Sequence, residues 1–143
     1  MDPLLTIAIP TYHNFQMLSD CLTSLFKYTD FPYKVVVLNN APQDADFLSA
    51  SLEGPNAQFK DRISIINMEI NKGWMGALNI ALDSCDTQYF CMMNDDVVFI
   101  PGNTIFWEQL VSSFNYGDVG AVGPCSNFVS GSQSLMVLNT PNV

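Results

Sequence analysis

Residues 89–101 read Tyr-Phe-Cys-Met-Met-Asn-Asp-Asp-Val-Val-Phe-Ile-Pro. Five apolar residues run unbroken into Asn94-Asp95-Asp96, four more follow, and Pro101-Gly102 closes the stretch. A continuous apolar run that stops at turn chemistry reads as a strand buried on both faces. Two adjacent aspartates at its end must meet water, hydrogen-bond donors or a cation, because an unpaired buried charge is very costly. The carboxyl edge of an open α/β sheet is where such folds hold ligands. Carboxylate oxygens suit Mg²⁺ or Mn²⁺, which keep several waters and bind substrate phosphates. Read alone, the triplet favours a polar turn whose aspartates cap loop amides, so the remaining chain must decide.

Upstream, residues 4–10 (Leu-Leu-Thr-Ile-Ala-Ile-Pro) are a β-rich apolar run ended by proline, a first strand. Asn14 is placed to cap a helix in which Phe15, Leu18, Leu22, Leu25 and Phe26 recur at helical spacing, ending near Asp30-Phe31-Pro32. Residues 34–38 form a second strand, which stops at Asn39-Asn40. A turn over residues 41–44 and a short helix over 45–52 follow, broken by Glu53-Gly54-Pro55-Asn56. Residues 63–67 are strand three. After the loop Asn71-Lys72-Gly73, a helix is predicted with Trp74, Leu78, Ala81 and Leu82 on one face, and Trp74 as a core anchor. Beyond the opening stretch, residues 104–115 are helical, with Phe106, Leu110 and Phe114 on one side and Trp107 and Val111 beside them. Residues 119–122 are a short strand. From Cys125 the texture turns to Ser, Asn, Gly and Gln, with residues 135–138 its apolar patch.

This βαβαβαβ order predicts an α/β domain, an open and mostly parallel sheet flanked by helices on both faces. No internal repeat or linker interrupts residues 1–143, so one domain is expected. In a parallel sheet, the polar loops Thr11-Tyr12, Asn39-Asn40 and Asn94-Asp95-Asp96 share one edge. Together they offer an aromatic ring, several amides and a carboxylate pair. That inventory suits a base, a ribose and a metal-bound diphosphate.

Composition narrows the function further. Hydrophobic residues make up 48% and charged residues 13% of the 143, enough for a genuine core and too apolar for disorder. A net charge of −9 provides no basic patch for nucleic acid or for electrostatic attachment to anionic lipid. An anionic substrate would then need a metal or backbone amides. No apolar run approaches the ~20 residues of a transmembrane helix. Met-Asp-Pro-Leu-Leu-Thr lacks the basic n-region of a signal peptide. Cys21, Cys85, Cys91 and Cys125 show no C-x-x-C pairing and read as reduced core residues of a cytoplasmic protein. His13 is the single histidine and reads as a loop residue. There is no dinucleotide fingerprint after strand one, no P-loop and no nucleophile elbow. Ser126, Ser130, Ser132 and Ser134 have no neighbouring base and read as loop solvation.

Five motifs occur in order: Ile-Ala-Ile-Pro-Thr-Tyr (7–12), Val-Val-Val-Leu-Asn-Asn-Ala-Pro-Gln-Asp (35–44), Asn71-x-Gly73-x5-Asn79, Met-Asn-Asp-Asp-Val (93–97) and Val-Gly-Ala-Val-Gly-Pro (119–124). Each is weak alone. The ordered set, covering residues 5 to about 130, resembles the inverting glycosyltransferases of family 2, which have the GT-A fold.

The resemblance implies that Pro10, Thr11 and Tyr12 line the base and ribose of a nucleotide-diphosphate sugar. It implies that Asn39 helps hold the base with Asn40 beside it, and that Asp44 stands where the family often has an acidic residue. Gly73 would let backbone approach the nucleotide, and Asn79 would brace the site from its helix. Asn94-Asp95-Asp96 occupies the position of the Asp-x-Asp metal motif. Asp96 would coordinate Mn²⁺ or Mg²⁺. Asn94, lacking the first charge, would contact ribose or a bridging water, and Asp95, the middle residue, joins the nucleotide-binding set.

The family's catalytic base, an Asp or Glu, belongs to a downstream acceptor-binding half, and none occurs here after Pro124. The catalytic residue is therefore not identified. The chain reads as the donor half of a metal-dependent transferase acting on a glycan or other hydroxyl acceptor. It would be a truncated form, a natural short form, or a protein that needs a partner, with a second copy one source of the missing carboxylate. Two other readings compete. One is a non-catalytic nucleotide-sugar-binding module, favoured by the missing base. The other is a nucleotidyltransferase, disfavoured because no Gly-rich, Lys/Arg-bearing phosphate loop follows strand one.

Overall fold

The first strand, β1 (Leu5–Thr11), is buried at every position, as expected of a central strand with its apolar run covered on both faces. The computed structural model describes residues 2–52, 57–126 and 133, apart from the side chains of 51 and 52. Alongside β1 lie β2 (Tyr33–Asn39) and β4 (Tyr89–Met92), and β3 (Ile63–Asn67) lies beyond β2. All pairings are parallel, in the order β3-β2-β1-β4. The register sets Thr11 beside Asn39, and Asn39 beside Asn67, so three polar strand ends line up at one edge. The chain divides into two compact units, Met1–Ile105 and Phe106–Val143; the sheet belongs to the first.

The strand order reverses at β1: the chain moves outward through β2 and β3, then returns to place β4 on the other side. Right-handed crossovers then put the helix between β3 and β4 on the opposite face from the two that precede it. That helix, α3 (Gly73–Asp83), packs Ala77, Leu78 and Ala81 against Ala8, Val36 and Leu38. Strand alternation turns Ile7, Ile9, Val35 and Val37 to the other face, and all four are fully buried. There α1 (Phe15–Tyr28) contributes a buried stripe of Leu18, Cys21, Leu22 and Leu25, and α2 (Ala45–Leu52) meets α1 through the rings of Phe15 and Phe47, 5.2 Å apart. Truncating Leu22 or Leu25 to Ala would cost about 2–5 kcal/mol.

Strand four differs from its sequence reading. It is a four-residue strand at the end of the sheet, half-buried rather than covered on both faces. Proline explains its length. Met93 N–H donates to Ala8 C=O (3.0 Å), so Ala8 faces β4. Pro10, two residues on, faces the same side and has no N–H to offer. The β1–β4 ladder stops there, and the chain turns away at Asp95-Asp96. Residues 97–100 form no strand: Val98 and Ile100 are exposed, while Phe99 is buried with its N–H on Ser24 Oγ (3.0 Å).

Other expectations are corrected too. Trp74 and Leu82 are exposed and do not belong to the buried face of α3, so Trp74 is no core anchor. Asn14 precedes α1 without a side-chain cap bond. Cys21 is buried, Cys85 and Cys91 are half-buried, and Cys125 is exposed; all four are free thiols, but Cys125 is no core residue. The second unit holds α4 (Phe106–Ser112) and a 3₁₀ turn over Ser113–Asn115. Within α4, Trp107 is buried and Phe106 meets its ring edge-on, with centroids 5.0 Å apart. Residues 119–122 are not a strand. The break at 53–56 and the apolar patch at 135–138 lie outside the described residues. Among the described residues, no helix is long and apolar enough to cross a membrane.

Candidate functional site

The strand order reverses at β1, and the edge beyond the carboxyl ends of β1 and β4 is the usual ligand position in an open α/β sheet. Thr11 ends β1, and its hydroxyl donates to Asp95 Oδ2 at 2.7 Å. Both residues are buried, so this bond satisfies a carboxylate that would otherwise be stranded in the protein. Asp96, the next residue, is exposed at the edge. The two aspartates are thereby divided: Asp95 holds the turn to β1, and Asp96 faces solvent.

Beneath this turn lies Cys21 of α1, its Sγ 4.0 Å from Asn94 C=O. Burial first, and then the negative charges of Asp95 and Asp96, push its thiol pKa up to about 12. Cys21 is a neutral, apolar floor under the acidic turn, not a reactive group.

The ends of β2 and α3 close the other side. Asn40 is buried, and its N–H donates to Thr11 C=O (3.0 Å). Its Oδ1 accepts the Lys72 N–H (3.0 Å), and its Nδ2 reaches Gly73 C=O (3.4 Å). Gly73 has φ +67°, a left-handed conformation that strains any residue with a Cβ, and its N–H is taken by Asn71 Oδ1 (2.7 Å). This geometry starts α3 beside the turn. Trp74, 43% exposed, then lays its indole N–H on Asn94 Oδ1 at 3.1 Å.

The loop after β1 carries Tyr12, 49% exposed, with its ring 4.1 Å from that of His13. His13 adopts φ +60°, uncommon for a side-chain-bearing residue. Its Nδ1 pairs with Asp44 Oδ2 at 2.5 Å, tying the β1 loop to the turn after β2.

The sequence-predicted residues therefore fall into two groups. Thr11, Asn40, Gly73, Asn94 and Asp95 are joined by direct bonds or through Trp74, with Tyr12 and Asp96 exposed at the rim. Pro10, Asn39 and Asn79 stand apart from that network. Pro10 is buried. Asn39 is fully buried, with Nδ2 on Asn67 Oδ1 (2.9 Å) and Oδ1 on Ala41 N–H (2.9 Å). Its amide is spent inside the chain, bracing β2 against β3. Asn79 is exposed, further along α3. Sequence reasoning missed two contributors, Trp74 and the His13–Asp44 pair. A Trp directly after an Asn-x-Gly loop was the available signal for the first.

Among the described residues, no cluster of three His, Cys, Asp or Glu side chains could enclose a metal. Mg²⁺-type ions do not require one, since they bind through one or two carboxylates together with waters and substrate phosphates. The exposed Asp96 carboxylate is a donor of that type and fits such an ion.

The sequence model of glycosyl transferase family 2 matches residues 6–140. The chain belongs to this family. Among similar proteins, the uncharacterized glycosyltransferase YwdF of Bacillus subtilis (strain 168) is 28% identical over 100 residues, 69% of this chain and 35% of that protein. Solved structures agree in fold. The mannosyltransferase PcManGT from Pyrobaculum calidifontis, in complex with GDP-Man and Mn²⁺, superposes with a TM-score of 0.64 at 19% identity, covering 88% of this chain and 36% of its own. S. aureus TarS 1–349, in complex with UDP-GlcNAc, gives a TM-score of 0.59 at 20% identity, covering 98% and 42%. The parallel sheet and its flanking helices are thus the GT-A fold. This family 2 chain spans well under half the length of each of these three proteins.

Proposed function

We propose that this chain binds a nucleotide-diphosphate sugar and forms the donor-binding part of an inverting, metal-dependent glycosyltransferase. The observation that carries this reading is the Thr11–Asp95 bond. It anchors the acidic turn at the switch point of the sheet and leaves Asp96 presented at the edge. Family membership, and relatives whose structures hold GDP-Man with Mn²⁺ or UDP-GlcNAc, support it.

In this reading Tyr12 stacks on the nucleobase, and Asn40 and Gly73 shape the backbone wall beside it. Asn39 acts from within, fixing the loop rather than touching the base. Asp96 would hold a divalent cation, which when bound offsets charge on the departing diphosphate. The acceptor oxygen forms a new bond to the anomeric carbon on the face opposite the diphosphate. The anomeric carbon–oxygen bond breaks, its electron pair leaves with the nucleoside diphosphate, and the acceptor's proton goes to a general base.

Calorimetric titration of UDP-, GDP- and dTDP-sugars in Mn²⁺ tests the binding step. Saturable binding of one of them is expected, and no binding by any would overturn the reading. A second reading is a nucleotide-sugar-binding module without transferase activity. It is favoured by the commitment of the buried Asp95 to Thr11, which withdraws that carboxylate from base chemistry. Release of nucleoside diphosphate on adding an acceptor separates the two.

A further inference from the structure

Trp74 and Asn94 make a contact that fixes chemistry as well as position. The indole N–H is a donor with no acceptor capacity. It lies 3.1 Å from the Asn94 side chain, so the atom facing it must be the carbonyl oxygen, Oδ1. That settles the orientation of the amide: Oδ1 is engaged, and the NH₂ group points elsewhere. Both side chains are exposed, so this bond rather than packing selects the orientation. The root of Trp74 is held by the left-handed Gly73, whose N–H is in turn capped by Asn71.

The consequence concerns the turn. Asp95 and Asp96, when ionised, only accept hydrogen bonds. Of the three turn side chains, Asn94 alone brings donors. Its NH₂, which has no partner among the described residues, suits an oxygen-rich ligand that the neighbouring carboxylates would repel.

We propose that Trp74 is a positioning residue that holds Asn94 as a hydrogen-bond donor to an oxygen of the bound nucleotide, on the ribose or the diphosphate. This rests on the nucleotide-binding reading above. It also gives the neutral residue at the head of the motif a role that a carboxylate could not fill.

The test is calorimetry on the full chain in Mn²⁺ with UDP, GDP and dTDP. Trp74→Phe keeps a ring and loses the N–H, while Asn94→Ala loses the amide. Each should weaken binding about three- to tenfold, the usual effect of one hydrogen bond. The double variant should bind no more weakly than Asn94→Ala, because Trp74 acts through Asn94. Additive losses, or Trp74→Phe binding as tightly as the unaltered chain, would overturn the proposal. If the unaltered chain binds none of the three nucleotides, the nucleotide reading falls and takes the donor role with it. If it binds and only Trp74→Phe is silent, the Trp74 proposal alone falls.

Repeating the titration with the free nucleoside locates the oxygen. A loss retained there assigns the ribose, and a loss confined to the diphosphate form assigns the phosphates. A ligand-independent arm follows hydrogen exchange of the Trp74 indole N–H by NMR. Asn94→Ala should speed it several-fold, and an unchanged rate would overturn the contact itself.

Discussion

Thr11 donates its hydroxyl to the Asp95 carboxylate over 2.7 Å, closing a loop of 84 residues between the ends of β1 and the turn after β4. The bond sits where the strand order reverses. Because Pro10 ends the β1–β4 ladder one residue earlier, it is a side-chain substitute for the next backbone rung. Replacing Thr11 by Val keeps the shape and removes the donor. Asp95 is buried, so its carboxylate would lose a partner and the fold should weaken by about 1–3 kcal/mol. Urea denaturation checks this, and a midpoint equal to that of the unaltered chain would mean that water serves Asp95 equally well.

Asp96 is the exposed partner in the same turn, so its loss should leave folding alone. Asp96→Ala is expected to abolish Mn²⁺-dependent nucleotide binding with an unchanged urea midpoint. Titration showing the same metal-dependent affinity in the variant would remove Asp96 as the cation ligand.

Tyr12 exposes half of its surface at the rim, and its ring contacts His13. If the ring stacks on a nucleobase, Tyr12→Ala should weaken nucleoside diphosphate binding by ~1–3 kcal/mol. The dissociation constant from calorimetry decides this; no change would leave Tyr12 as edge packing against His13.

Cys21 gives a pH signature of the turn above it. Burial first, and then the two aspartates, oppose the thiolate and push the folded thiol up to about 12 from an ordinary value of 9.0. An acid whose folded pKa is raised contributes stability that is intact below the unfolded pKa. That stability is lost as pH rises through the window from about 9 to 12, since the unfolded chain releases its proton first. The slope from this one group is at most about 1.4 kcal/mol per pH unit. Cys21→Ala should therefore show a shallower alkaline loss of stability than the unaltered chain. Equal slopes in urea melts across that window would mean that Cys21 ionises as freely folded as unfolded.

Much of this was legible in the chain because its strands announce themselves. Residues 5–11 and 33–39 are nearly continuous apolar runs ending in Thr or Asn, and such runs, alternating with helical segments, fit strands covered on both faces inside a parallel sheet. The polar residues closing those runs then had to share an edge. Less legible were features set by contacts distant in sequence. Nothing local says that Asn39 spends its amide on Asn67, or that Pro10 cuts β4 short. The α3 sequence is apolar around most of its circumference, so periodicity could not tell that Ala77 and Ala81 face the sheet while Trp74 and Leu82 face out. Residues 119–122 have the composition of a strand, but composition supplies no pairing partner.

The last prediction concerns catalysis. Inverting transfer needs a base within hydrogen-bond reach of the acceptor hydroxyl. Asp95 is committed to Thr11 and buried, and Asp96 is assigned to the cation on the donor side. Among these 143 residues no Asp or Glu follows Asp118, and the side chains beyond it that can hydrogen-bond are neutral amides, hydroxyls and the Cys125 thiol. These 143 residues on their own should therefore bind nucleotide sugar yet transfer it slowly or not at all. The assay is product formation from UDP-, GDP- and dTDP-sugars with simple hydroxyl acceptors, run across a range of protein concentrations. Turnover that rises steeply with concentration would show a second copy supplying the base. Robust metal-dependent transfer that is first order in protein would refute the prediction and send the search for the base to Asp95, Glu108 and Asp118.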